Sequence, residues 1–143
     1  MDGKTIVPEF RPGKEGLRQI LGDLEADIME FAWARGQCTV RDVYEDLLAS
    51  RERELAYTTV MTVMARLADK RLLLREAAGN TYLYMPALGR EEYLARVVGE
   101  ILDALLVSHR EQTISHLASR LKNVDTSELD RLEADLARRK GQG

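Results

Sequence analysis

Cysteine is nearly absent: Cys38 is the only one in 143 residues. One thiol closes no internal disulfide and builds no thiolate cluster, which excludes structural zinc held by four cysteines or by two cysteines and two histidines. Histidine is almost as scarce, with His109 and His116 alone. Read on one helix they stand about two turns apart, with no acidic or cysteine partner to complete a ligand set, so neither a metal nor another cofactor is expected. No apolar run approaches the roughly 18 residues of a membrane span, and Met1 to Gly16 lacks the apolar centre of a signal peptide. These absences predict a soluble, cytoplasmic protein without membrane insertion. There is also no phosphate-binding glycine loop, no His-Glu-x-x-His and no serine elbow. Carboxylate pairs such as Asp23 with Asp27, or Glu91 with Glu92, fall near helix starts, where the helix dipole accounts for them. No catalytic residue is expected, and the chain does not read as an enzyme.

What the chain does contain is 45% hydrophobic and 31% charged residues, enough for a core and a solvated surface. The length suits one domain, or a small domain with a short accessory one. The net charge of -3 conceals an asymmetry. Between Ala56 and Arg75, four basic residues, Arg66, Lys70, Arg71 and Arg75, stand against Asp69 alone. A basic segment on an acidic body is the charge distribution of a DNA reader with a narrow contact face.

Periodicity orders the rest. Residues 1–16 hold two prolines and three glycines without an apolar period, which predicts a flexible arm. Leu24, Ile28 and Phe31, flanked by Leu21, Met29 and Trp33, predict a first helix that Gly36 stops. Thr39 and Asp42 have the spacing of a capping box ahead of a second helix carrying Val43, Tyr44, Leu47 and Leu48. The charged run Arg51-Glu52-Arg53-Glu54 connects to a third helix, Tyr57 to Lys70. Two short strands, Leu72 to Glu76 and Thr81 to Met85, surround Ala77-Ala78-Gly79-Asn80 and predict a hairpin that Pro86 ends. Beyond Gly89 the chain is helical. Leu94, Val97, Val98, Ile101, Leu102, Leu105 and Leu106 form one broad apolar stripe. Ser108-x-x-Glu111 and Asp125-x-x-Glu128 have capping-box spacing and open two further helices, one with Ile114, Leu117 and Leu121, the other with Leu129, Leu132 and Leu136. Fifty-odd residues bury too little surface alone, which predicts packing against a second copy through Leu94, Val97, Val98, Ile101, Leu102 and Leu105.

Helix three carries the chemistry. At 100° per residue, Val60, Val63, Met64 and Leu67 fall on one side, with Thr58, Thr59, Thr62 and Arg66 on the other. An ordinary solvent face uses Glu and Lys, because β-branched Thr disfavours helix. Threonine offers a hydroxyl to phosphates or base edges and a methyl to thymine, and arginine forks onto guanine or phosphate. That pattern predicts DNA contact, with Tyr57 at the helix start, Arg71 and Arg75 flanking the first strand, and Asn80 at the hairpin tip as further contacts. Tyr82 and Tyr84 alternate on the second strand and are expected to pack against the helices. Three helices followed by a hairpin is the element order of a winged helix-turn-helix, so the fold class is mainly α (α+β).

The segments Leu21-Gly22-Asp23-Leu24-Glu25-Ala26-Asp27-Ile28-Met29, Trp33, Ala56-Tyr57-Thr58-Thr59-Val60-Met61-Thr62-Val63-Met64-Ala65-Arg66-Leu67 and Tyr82-Leu83-Tyr84-Met85-Pro86 closely resemble the BlaI/MecI/CopY family of bacterial repressors. The resemblance spans about Leu17 to Leu106. It implies a winged-helix DNA-binding domain over residues 17–87 and a helical dimerisation domain over 88–143. It further implies a homodimer on an inverted-repeat DNA operator that blocks transcription, as in regulation of antibiotic resistance, with a membrane sensor protease as a further partner. Helix three reads the major groove in that family, and Thr58, Thr59, Thr62 and Arg66 inherit the role. Two departures narrow the signal. Paired C-terminal cysteines, which serve copper sensing, are missing. The Asn-Phe bond at which β-lactam-responsive members are cut occurs nowhere in the chain. The alternative is a winged helix that docks proteins and reads no DNA sequence.

Overall fold

Helix-forming and strand-forming segments fall in the order that the apolar periods predict. A computed structural model of the chain describes residues 9–50, 54–123 and 125–142. A 3-10 turn, Gly16–Gln19, leads into α1 (Asp23–Arg35), α2 (Val40–Ser50), α3 (Tyr57–Asp69), β1 (Leu73–Ala78), β2 (Thr81–Pro86), α4 (Arg90–Ser108), α5 (Arg110–Leu121) and α6 (Thr126–Gln142). The chain divides into two compact units between Glu100 and Ile101.

In the first unit α1, α2 and α3 pack on one another and on the antiparallel β1–β2 hairpin. Ile28, Met29, Val43, Val60, Met64 and Leu67 are buried at its centre. On α1 the buried positions are Ala26, Ile28, Met29 and Ala32, whereas Leu24 and Phe31 are only half-buried. The two alanines account for this rotation of the expected stripe, since a methyl-sized side chain lets neighbouring backbone approach closely. Gly36 closes α1 with φ 87°, a conformation open to glycine, and donates its N–H to Ala32 O at 2.8 Å. The predicted box opens α2: Thr39 N–H donates to Asp42 Oδ2 at 2.9 Å, and Asp42 N–H to Thr39 Oγ1 at 3.1 Å.

The hairpin is tighter than its sequence suggests. Pairing runs from Leu73 opposite Pro86 to Ala78 opposite Thr81, so the loop is Gly79-Asn80 alone. Gly79 has φ 65° while Asn80 stays at negative φ, as a two-residue turn with glycine first requires. Cys38 adds an isolated bridge on the other edge of β2, exchanging backbone bonds with Tyr84 at 2.9 and 2.8 Å. Its side chain is fully buried, and burial, with Asp42 nearby, pushes the thiol up to about 11. A thiol held protonated at neutral pH is a poor nucleophile.

Tyr84 and Tyr82 do not share one role. Tyr84 is 2% exposed and Tyr82 46%, which corrects the expectation that both pack against the helices. Tyr84→Ala is therefore expected to cost about 3–5 kcal/mol, whereas Tyr82→Ala stays within about 1 kcal/mol in urea denaturation. Equal losses would contradict this division.

The arm prediction falls partly on Met1–Pro8, outside the described residues, as do Arg51, Glu52 and Arg53 of the charged connection. The remainder of the arm is anchored: Arg11 N–H donates to Gln19 O, and Leu17 is buried.

The second unit contains the last two turns of α4, from Ile101, with α5 and α6. The Ser108 box does not form; His109, with φ -142° and ψ 53°, stands before α5 instead, and Thr113 Oγ1 donates to His109 O at 2.7 Å. Asp125 does cap α6, accepting from Ser127 N–H at 3.2 Å. No described residue from Ile101 onward is buried. Leu105, Val107, Ile114, Leu117 and Leu136 remain 42–82% exposed.

Candidate nucleic-acid interface

The outward face of α3 is the centre of the candidate site. Val60, Met64 and Leu67 are buried beneath it, while Thr58, Thr59, Thr62 and Arg66 are all exposed. The sequence builds this amphipathic helix without an N-terminal cap. Ala56 stands at that position and offers no side-chain bond, so the first N–H groups rely on other partners. Unpaired N–H groups and a positive dipole end at a helix start favour a phosphate.

The other expected contacts divide. Tyr57 is half-buried, edge-on to Tyr44 with ring centroids 5.3 Å apart, and Arg41 lies 5.8 Å over its ring. It braces α3 against α2 and does not share the threonines' exposure. Arg41, exposed in the first turn of α2, is thereby placed beside the start of α3. Its role was invisible in the sequence because only the packing of α2 on α3 brings the two together. Arg71 is exposed just past α3 at φ 65°, in the left-handed region. Arg75 lies within β1, not beside it; its guanidinium stacks 4.9 Å over the Tyr82 ring. Asn80 is exposed at the hairpin tip. The helix face, Arg41, and an arginine–tyrosine pair on the wing are thus among the polar features that the described residues of this unit present.

Lys70 does not join them. Its Nζ lies 3.1 Å from Glu25 Oε2, and Glu25 Oε1 accepts the Gly22 N–H at 2.9 Å. This pair ties the end of α3 to the start of α1 and so fixes the angle of the exposed face. Burial pushes the Glu25 carboxyl up, but the Gly22 N–H and Lys70 more than offset it, leaving its pKa below the ordinary 4.5. A lowered carboxyl pKa gives stability that is present above the unfolded value and lost as pH falls through the folded one. Glu25→Gln is expected to destabilise by on the order of 1 kcal/mol at pH 7. In urea denaturation that difference should shrink as pH drops below 4.5; a pH-independent difference would contradict the ion pair.

Of the expected dimer residues, Val97 is 1% exposed within one chain and belongs to the first unit's core, a correction to the predicted stripe. Tyr93, one helical turn earlier, is buried as well, its ring centroid 5.7 Å from that of Trp33 with the planes tilted by 42°. Trp33 in turn donates its indole N–H to Leu88 O at 2.9 Å. Leu94, Ile101 and Leu102 are half-buried, Leu105 is 42% exposed and Val98 62%. No helix among the described residues is long and apolar enough to cross a membrane.

The family described as penicillinase repressor matches residues 21–138. The transcriptional regulator BlaI of Mycobacterium tuberculosis is 40% identical over 121 residues, covering 81% of this chain and 84% of that protein. Among solved structures, the DNA-binding domain of the repressor BlaI is similar at 21% identity and a TM-score of 0.45, over 56% of this chain and 94% of that one. Bacillus licheniformis BlaI, solved in its monomeric form in complex with the blaP half-operator, is similar at 22% identity and a TM-score of 0.43, over 51% and 87%. By a match that spans most of its length and by its identity to a curated regulator, this chain belongs to the penicillinase repressor family of transcriptional regulators.

Proposed function

We propose that the chain is a DNA-binding transcriptional repressor that acts in the cytoplasm as a homodimer on an inverted-repeat operator. The observation that carries the DNA reading is the two-sided character of α3: one side buries Val60, Met64 and Leu67, and the other presents Thr58, Thr59, Thr62 and Arg66. Short side chains let such a helix sit deep in a major groove, with hydroxyls and a guanidinium at base edges and phosphates. Arg41, Arg71, Arg75 and Asn80 would hold the flanking backbone.

The dimer reading rests on the second unit, in which no described residue is buried and Leu105, Val107, Ile114, Leu117 and Leu136 are exposed in their own chain. A second copy is the self-complementary cover, since a two-fold interface matches one patch to itself. The proposed face runs along α4 through Val98, Ile101, Leu102 and Leu105, with Leu94 at its edge. In this reading residues 17–87 serve DNA binding and 88–143 dimerisation, with residues 88–100 lying in the first compact unit, to whose core α4 contributes Tyr93 and Val97. Occupying a promoter blocks transcription with no catalytic step, and a signal that splits the dimer, such as cleavage by a membrane sensor protease, releases the operator.

The test is site selection from random DNA, followed by fluorescence anisotropy across a salt series. A selected site should be an inverted repeat with half-sites spaced by about 10 bp or a multiple. Affinity should fall steeply with salt, because each phosphate contact releases counterions. Failure to enrich any sequence would favour a winged helix that docks proteins.

A further inference from the structure

The exposed face of α3 is not uniform. Around the helix, Thr58, Thr62 and half-buried Ala65 lie close to its midline, Thr59 and Arg66 lie roughly 80–100° from Thr58 on one side, and Met61 lies about 60° from it on the other. Met61 is 45% exposed. One edge of the face is therefore polar and cationic, and the other is a thioether chain beside an alanine methyl. The buried side of α3 is complete without Met61, since Val60, Met64 and Leu67 fill it.

The geometry points to Met61 as a specificity-determining residue that contacts the C5-methyl of a thymine. This rests on the DNA-binding reading above and adds the base that one edge of the helix selects. The thymine methyl is the bulkiest apolar group that base pairs display in the major groove; the hydrogen-bonding features there are donors and acceptors, which a thioether satisfies poorly. Methionine is unbranched and adaptable, and so follows a small methyl without disturbing the backbone. Thr59 and Arg66 face the opposite edge, so the two edges read chemically different parts of one half-site.

The test uses the full chain on its own selected operator, with each thymine replaced singly by deoxyuridine, which removes the methyl and leaves the pairing unchanged. At one thymine per half-site the unaltered protein should lose about fourfold in affinity, the worth of one buried methyl. Met61→Ala should be insensitive to uridine at that position while remaining sensitive at thymines read by the threonines, and Met61→Leu should restore the response. Identical uridine profiles for the unaltered protein and Met61→Ala would overturn the Met61 contact and leave the DNA reading standing. Absence of any selected operator would overturn both. Helical content by circular dichroism checks that each variant folds, which exposure at position 61 favours.

Discussion

Replacing Arg66 and Thr62 together by alanine should reduce operator affinity by about 10²-fold or more while leaving the fold and the proposed dimer intact, since a good base contact is worth about 1–3 kcal/mol and a homodimer would make each contact twice. Both side chains are exposed on α3 and neither is among the residues buried in the core. Alanine also favours helix over threonine and arginine by a few tenths of a kcal/mol, so the variant should melt at or slightly above the temperature of the unaltered protein. A binding loss therefore cannot be ascribed to unfolding. The pattern of the loss distinguishes the target of Arg66. On a phosphate, all sequences weaken alike and the salt slope falls by about one per contact; on guanine, discrimination relaxes at one base pair in each half-site. Unchanged DNA affinity in a folded, dimeric variant would turn α3 into a protein-docking surface. The measurement is anisotropy on the selected operator and on scrambled DNA at several salt concentrations.

How legible this interface was in the sequence depends on how local its causes are. The two sides of α3 follow from a 3.6-residue period acting on one segment, so Thr58, Thr59, Thr62 and Arg66 could be separated from Val60, Met64 and Leu67 without coordinates. The capping box at Thr39 and Asp42 and the stop at Gly36 are equally local, and the structure contains both. What could not be read depends on contacts between distant segments. The pairing of Lys70 with Glu25, 45 positions away, removes one cation from the basic segment. Tyr57 has the sequence position of a groove residue, yet Tyr44 and Arg41 hold it sideways. Tyr82 and Tyr84 have the same alternation, but the Cys38 bridge draws only Tyr84 inward. Val97 shares a helical stripe with Ile101, while the intrachain core takes Val97 and leaves Leu105 uncovered. Each departure is a case of tertiary packing overriding a correct local period.

Ile101→Glu together with Leu105→Glu should convert the proposed dimer to monomers and lower affinity for the full operator by about 10²–10⁴-fold, with half-site affinity unchanged, because linkage of two contacts is what such a dimer would supply. In one chain Ile101 is half-buried and Leu105 is 42% exposed, and both lie beyond the first unit's core. Two carboxylates per copy would meet their symmetry mates across a two-fold interface, adding like-charge repulsion to the cost of burying unpaired charge. Each first unit keeps its own buried core, ending at Val97, so its thermal transition should persist. The size of the binding loss follows from effective concentration. A second contact presented at about 1 mM, to a half-site that binds at about 10 µM, multiplies affinity about 100-fold, and tighter half-sites gain more. Light scattering after size exclusion reads the mass, and anisotropy on full and half operators reads the two affinities. A variant that remained dimeric at unaltered operator affinity would place the interface elsewhere, on α5 and α6, where Ile114, Leu117 and Leu136 are also exposed. A monomer that kept full operator affinity would instead show that one copy of α3 suffices, and that the inverted repeat is not what the protein reads.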